Sequence, residues 1–210
     1  MKPHDEYKGI APFYDLVLNP FLDSIRKDIC SFLLSQQVSR AVDLGCGTGR
    51  QCQFLHKHGI KAFGVDRSPA MLEKARERSG KDIEYHQEDL TAMSFRNDTF
   101  DAAIVSLTLH EHEQDVQNKI IREAVRITRS HGYVAFLDHG RIDSLPARIM
   151  HYFSFVPERL AGKKHFQNYL LFMKNQGLQG LLGSVPDLHI LRDRRYLLGG
   201  LWLCLTRITH

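Results

Sequence analysis

Between residues 41 and 137 the chain alternates five short apolar runs with stretches of helical periodicity, and few folds accept that order. Residues 41–44, 61–65, 83–86, 100–105 and 133–137 read as strands, the runs at 41–44 and 100–105 apolar enough to be buried in a parallel sheet. Residues 51–58 read as a helix closed by Gly59. Residues 70–78 read as another, with Ser68 as N-cap, Pro69 at the first helical position and Gly80 as the stop. In residues 114–129, Val116, Ile120, Ile121, Ala124, Val125 and Thr128 recur at helical spacing, so an amphipathic helix is expected there, stopping near Gly132. Strands and helices taken in turn imply a parallel sheet with helices on both faces. After Asp138 the pattern changes: residues 144–182 hold two helix-like segments rich in aromatics, and residues 189–192 and 198–208 read as an antiparallel hairpin at the sheet edge.

A chain of 210 residues with 43% hydrophobic and 25% charged side chains can bury a real core, and its length suits one domain with an appendage. The expected sections are a helical entry segment (1–37), a core (38–140), a helical cap (141–184) and a C-terminal strand pair (185–210). No run approaches the roughly 20 apolar residues of a membrane span, and nothing near the N-terminus has signal-peptide character, so a cytoplasmic location is expected. Cys30, Cys46, Cys52 and Cys204 share no repeated spacing, which argues against a zinc ribbon or a disulfide framework. A net charge of +4 does not call for nucleic acid. No feature fixes an oligomeric state.

The first strand runs directly into Asp43-Leu44-Gly45-Cys46-Gly47-Thr48-Gly49. Alternate glycines after a parallel strand permit positive φ and let a ligand touch backbone. A phosphate loop needs Gly-Lys-Ser/Thr, which is absent. The dinucleotide fingerprint needs Gly or Ala where Arg50 stands. A carboxylate at Asp43 suits a ligand bearing an ammonium and repels a pyrophosphate, so the turn points to an amino-acid-bearing nucleoside. Asp66, ending the second strand, can accept from a ribose diol. Asp89, after the third, can accept from an exocyclic amine.

These residues, with Gly64-Val65-Asp66, Glu88-Asp89-Leu90 and Phe100-Asp101-Ala102-Ala103-Ile104, resemble the successive motifs of class I S-adenosylmethionine-dependent methyltransferases over about residues 38–140. The resemblance implies a Rossmann-like three-layer α/β sandwich, its mostly parallel seven-stranded sheet carrying an antiparallel last strand, with a small helical cap added. It implies S-adenosyl-L-methionine as cofactor and S-adenosyl-L-homocysteine as product. The glycine turn is then expected to hold the methionine part, Asp66 the ribose and Asp89 the adenine, with Cys46, Arg67, Leu90 and Ser106 completing the cofactor set. Ala11-Pro12-Phe13-Tyr14-Asp15-Leu16 resembles, over a short stretch, the entry segment of the ubiquinone/menaquinone C-methyltransferase branch.

Methyl transfer from a sulfonium is a one-step in-line displacement, so the protein mainly positions the acceptor. A general base matters where the acceptor loses a proton, and His110, Asp138 and His139, just past the fourth and fifth strands, are the candidates, His110 first. His110-Glu111-His112-Glu113 is not the helical HExxH pair, and with no third ligand evident no metal is expected. The aromatics of residues 148–174 recur at helical spacing and read as the core of a cap, with its lysines and arginines as a solvated face rather than an RNA surface. Tyr7, Tyr14, Tyr152 and His110 are the expected substrate contacts. The expected function is methyl transfer to a small molecule. The alternatives are an RNA or protein methyltransferase, or a non-catalytic cofactor-binding partner subunit.

Overall fold

The computed structural model describes the backbone of residues 11–209 and the side chains of residues 21–209 apart from residue 157. The alternation seen in the sequence becomes β1 (Arg40–Leu44), α2 (Arg50–Lys57), β2 (Lys61–Asp66), α3 (Pro69–Ser79), β3 (Glu84–Gln87), β4 (Phe100–Ser106), α4 (Gln114–Ile127) and β5 (Thr128–His139), preceded by α1 (Ala11–Ser35). Then come α5 (Leu145–Leu160), α6 (Lys163–Lys174), α7 (Gly177–Leu182), β6 (Leu188–Tyr196) and β7 (Leu201–Ile208). All seven strands form one sheet in the order β3-β2-β1-β4-β5-β7-β6. β1 to β5 run parallel, and β7 lies antiparallel between β5 and β6. Among the described residues no helix is long and apolar enough to cross a membrane.

The period-2 alternation of strand side chains splits the core in two. Val42, Leu44, Val65, Val105, Val134 and Phe136 face one layer, where Ile120, Ile121 and Ala124 of α4, Phe172 of α6 and Leu178 of α7 cover them. Ala41, Ala62, Ile104, Ala135 and Leu203 face the other, under Ile25, Ile29 and Leu33 of α1, Cys52 and Leu55 of α2, and Leu72 of α3. The result is the three-layer Rossmann-like sandwich. The four cysteines are all buried free thiols.

Three boundaries differ from the sequence expectation. The segment 144–182 forms three helices rather than two, because Gln176 and Gly177 adopt positive φ and reset the chain after α6. The C-terminal antiparallel hairpin lies at the sheet edge as expected, with β7 beside β5 and β6 outermost, but its first strand is longer than the expected 189–192, running Leu188–Tyr196. The helix expected to stop near Gly132 ends at Ile127, and β5 begins at once, with Thr128 opposite Phe100 and a register shift before Ala102 meets Tyr133. Gly132 therefore sits in a β-bulge, where a Cβ would come 2.8 Å from the carbonyl oxygens of both Arg129 and Asp101. The two ends of the segment linking β5 to β7 meet at one rung, where His139 stands opposite Leu201 and the Gly140 N–H donates to the Gly200 carbonyl at 3.1 Å.

Because two backbone oxygens as well as the Thr128 methyl group crowd that Cβ, Gly132→Ala is expected to cost about 1–3 kcal/mol, the range of an overpacked site. Urea unfolding measures it; a cost of a few tenths would mean that Gly132 only ends a helix.

Candidate active site

The glycine turn leaves β1 with Gly45, Gly47 and Gly49 at φ of 77°, 51° and 75°. Gly45 and Gly49 are glycine because the protein closes on them: a Cβ at Gly45 would strike the Thr108 hydroxyl, and one at Gly49 the Tyr85 hydroxyl. Gly47 differs, with no atom within 4 Å of where its Cβ would stand, so the middle of the turn opens onto space a ligand can enter. The Gly47 N–H donates to Asp66 Oδ2 at 2.8 Å, and Asp66 Oδ1 accepts from the Ser68 N–H at 2.8 Å. Asp66 thus ties the turn to the start of α3, where Ser68 is the N-cap its sequence suggested.

Asp43 is buried on the α1 side of β1, beside Cys52. Burial pushes its carboxyl from an ordinary 3.8 up to about 7, against the pull of Arg26 and with the added push of Asp66. Arg26 of α1 bonds Asp23 at 2.8 Å, and Arg50 grips the same carboxylate through Nε at 2.9 Å and a terminal nitrogen at 2.6 Å. The residue that excluded a dinucleotide turn therefore clamps α1 onto the turn. Asp23 and Arg26 carried no sequence signal, because their role depends on where α1 docks. The Cys46 thiol is buried beside Gly64 and lies in the core, so at that position only backbone is offered to the turn.

Asp89 follows β3 and is exposed, with Oδ1 accepting from the Thr91 N–H at 2.8 Å and the Thr91 hydroxyl at 2.7 Å; those bonds hold its carboxyl below the usual range. Arg67 is exposed and its charge reaches Asp89. The Leu90 side chain joins the core, and half-buried Ser106 ends β4.

A second centre adjoins the first through Thr108, whose hydroxyl donates to the Ser106 carbonyl at 3.0 Å and packs against Gly45. Leu107 turns the chain with φ of 52°, and residues Leu109–Glu111 form a single 3-10 turn. Asp138, at the end of β5, receives this turn. Its Oδ2 accepts from the Leu109 N–H at 3.0 Å and the His110 N–H at 3.3 Å; its Oδ1 accepts from the His139 N–H at 2.7 Å and meets His110 Nδ1 at 2.7 Å. Burial disfavours charge on both partners, yet each stabilises the other's: Asp138 is held below the usual range and His110 well above its own. His112, beside the pair, is pushed down to about 4 by burial and by Arg67, and so stays neutral.

The cap adds what the sequence did not reveal. Glu158 of α5 is 4% exposed and stands 3.5 Å from His110 Nε2, 3.4 Å from His139 Nε2 and 2.5 Å from His165 Nε2 of α6. Burial opposes its charge, but the three histidines outweigh burial and hold its carboxyl far below the usual range. Tyr169 is wholly buried against His139, with its hydroxyl 2.7 Å from His151 Nδ1. Tyr152 is not part of this cluster. Its ring is 62% exposed and packs only on His151 and Phe155, because α5 turns Glu158 inward and Ile149, Tyr152, Phe153 and Val156 outward. Tyr7 lies outside the described residues, and of Tyr14 only its place on α1 is described.

Residues 42–136 match the family model described as a methyltransferase domain. A demethylmenaquinone methyltransferase of Bacteroides fragilis is 27% identical over 157 residues, covering 69% of this chain and 62% of the relative. A ubiquinone biosynthesis O-methyltransferase of Methylocella silvestris is 35% identical over 80 residues, covering 37% and 31%. The chain therefore spans between about a third and three-fifths of the length of these relatives. Among solved structures, the PH0226 protein of Pyrococcus horikoshii aligns with a TM-score of 0.64 at 17% identity, covering 97% of this chain and 93% of that one. The N-methyltransferase NodS of Bradyrhizobium japonicum, solved with S-adenosyl-L-homocysteine, aligns at 0.64 and 16% identity, covering 91% and 89%. These two likenesses establish the fold. Over residues 42–136 the core of this chain is similar to that methyltransferase domain.

The displaced titration of Asp43 yields a sign that can be checked. Because its folded value is raised, the folded carboxyl keeps between about pH 4 and 7 a proton the unfolded chain has lost. Its contribution to stability is complete below about pH 4 and is lost as pH rises through 7. Asp43→Asn should therefore gain stability relative to the parent between pH 5 and pH 8 in urea unfolding, and a difference that stays constant over that range would refute the assignment.

Proposed function

We propose that this chain is an S-adenosylmethionine-dependent methyltransferase that transfers a methyl group in line to a small-molecule acceptor. One observation carries the reading: Gly45 and Thr108 touch, so the open glycine turn and the enclosed His110 centre lie side by side at the carboxyl ends of the neighbouring strands β1 and β4. That is where ligands of open α/β sheets bind. We read all four sections of the chain as working in this one domain.

The cofactor fits the residues present. The open face of Gly47 admits the methionine part against backbone, and Asp43 offers a carboxylate to its ammonium. Asp66 keeps acceptor capacity for ribose hydroxyls, and Asp89 with Arg67 and the backbone of Leu90 suits the adenine edge. Cys46 and Gly49 shape the turn, and Ser106 ends the strand beside it. When bound, the sulfonium supplies an already activated methyl group, so orientation of the acceptor is the protein's main task. On the acceptor side we assign His110 and His139 as contacts and Asp138 as the residue that positions them.

Enclosure favours a small acceptor. His110, His139 and Glu158 are each under 8% exposed, shut beneath α5 and α6. Tyr169 and Phe172 form the core of that cap, while Lys164 lies on its solvent face and pairs with Glu113 at 3.1 Å. The relatives named for ubiquinone biosynthesis and for demethylmenaquinone bear the names of small molecules.

Two measurements test the reading. Calorimetry with S-adenosyl-L-homocysteine should show binding that Asp66→Ala weakens roughly 10- to 100-fold, the loss of charge-assisted hydrogen bonds; equal affinity sinks the ribose assignment. With methyl-labelled cofactor, a pool of small metabolites should take up label, and His110→Ala should slow that uptake without changing homocysteine-product affinity. Label appearing in RNA or protein instead would overturn the choice of acceptor class.

A further inference from the structure

We propose that His110, His139 and Glu158, with His165 as a fourth donor, form a binding site for one divalent transition-metal ion of the Zn2+ class. The donors come from three separate parts of the fold: the turn after β4, the end of β5, and the cap helices α5 and α6. The ligand atoms of His110, His139 and Glu158 all lie within 4.8 Å of one another. Two donors held about 2.0–2.1 Å from one tetrahedral ion stand roughly 3.3–3.4 Å apart. His110 Nε2 stands 3.5 Å from Glu158 Oε2 and His139 Nε2 3.4 Å from Glu158 Oε1, close to that value though to different oxygens of the carboxylate. His165, hydrogen-bonded to Glu158 at 2.5 Å, stands outside that trio and joins it only by shifting toward the ion.

The surroundings are those of a ligand set. Asp138 bonds His110 Nδ1 at 2.7 Å, which leaves the Nε2 lone pair aimed at Glu158. A carboxylate fixing the far nitrogen of an imidazole is how metal-bound histidines are oriented. Charge balance points the same way. Asp138 and Glu158 are both buried, and among the described residues the ion-pair partners of both are histidines alone. Protons could balance two carboxylates only by charging two imidazoles of a cluster in which the rings of His139 and His165 stand 4.9 and 5.6 Å from that of His110, in a nearly enclosed site. One doubly charged ion balances them with every imidazole neutral. Three nitrogens and one carboxylate, without thiolate, suit Zn2+ or a similar transition ion and do not suit Ca2+ or Mg2+, which take oxygen donors.

The site shares His110 and His139 with the acceptor assignment, but metal binding is measured without methyl donor or acceptor. The whole chain, stripped with a chelator and dialysed, is titrated with Zn2+ by calorimetry and with Co2+ by visible absorption. One ion per chain is expected, with Co2+ showing the intense d–d bands of four- or five-coordination and yielding to Zn2+. Glu158→Gln, which keeps the side chain's shape, and His139→Ala should each weaken binding at least 100-fold; Asp138→Asn should weaken it 10- to 100-fold. Exposed His131→Ala should change nothing. Circular dichroism and binding of S-adenosyl-L-homocysteine report whether each variant is folded, and His165→Gln supplies a milder change should His139→Ala fail to fold. Absence of saturable Zn2+ uptake by the stripped parent would overturn the proposal, as would uptake identical in the parent and in every folded variant at positions 139, 158 and 165. Either result leaves the cofactor reading untouched, because that rests on homocysteine-product binding to the glycine turn.

Discussion

The carboxylate of Asp138 organises the turn after β4 and the histidine centre beside it. It stands at the end of a central strand, almost without solvent contact, and accepts from three backbone N–H groups as well as from His110. A buried acceptor is tolerated only when satisfied, and satisfying this one dictates the path of the chain after β4. The positive φ at Leu107 is the conformational cost of bringing the amides of Leu109 and His110 into reach. Thr108 is thereby pressed against Gly45, which cannot carry a side chain for that reason. One buried charge thus sets the histidine, the turn and the clearance over the glycine loop together.

The cofactor half rests on a similar economy at Asp66, whose two oxygens join the glycine turn to the first residues of α3. Removing that side chain would take away the strut that shapes the loop. Asp43 plays a different part. It carries a charge whose burial is offset in part by Arg26, and Arg26 in turn shares Asp23 with Arg50. The entry helix is therefore coupled to the cofactor turn by a chain of ionic contacts.

Much of this was legible in the sequence, for identifiable reasons. The strands of the core declared themselves because a buried parallel strand is apolar on both faces, and the glycine turn because alternate glycines serve backbone approach. Asp66 and Asp89 stand where the sequence placed them, at the end of β2 and just after β3. What could not be read depended on tertiary contact. Glu158 and His165 look like ordinary polar residues of two amphipathic helices, and nothing local reveals that both turn toward His110. Tyr152 was expected inside because aromatics at helical spacing usually mark the buried face. In α5 the outward face is apolar as well, with Ile149, Tyr152, Phe153 and Val156 exposed, so hydrophobicity did not distinguish the two sides. Gly132 looked like a helix stop because glycine ends helices and fills bulges alike, and only the strand register separates the two.

The insertion of β7 between β5 and β6 has a consequence for the order of assembly. β6 is made first but has no partner on the sheet until β7 arrives, since it pairs with β7 alone. The His139–Leu201 rung closes the intervening stretch, including all three cap helices, into a loop of about sixty residues whose ends must find each other. Closing such a loop is entropically costly and slow compared with forming the local β–α units before it. The half that carries the glycine turn can therefore take shape early, while His139 and the cap donors come together only once the final strand has slotted in. Destabilising β7 should then cost the acceptor side first and leave the nucleoside side standing as a partly folded intermediate.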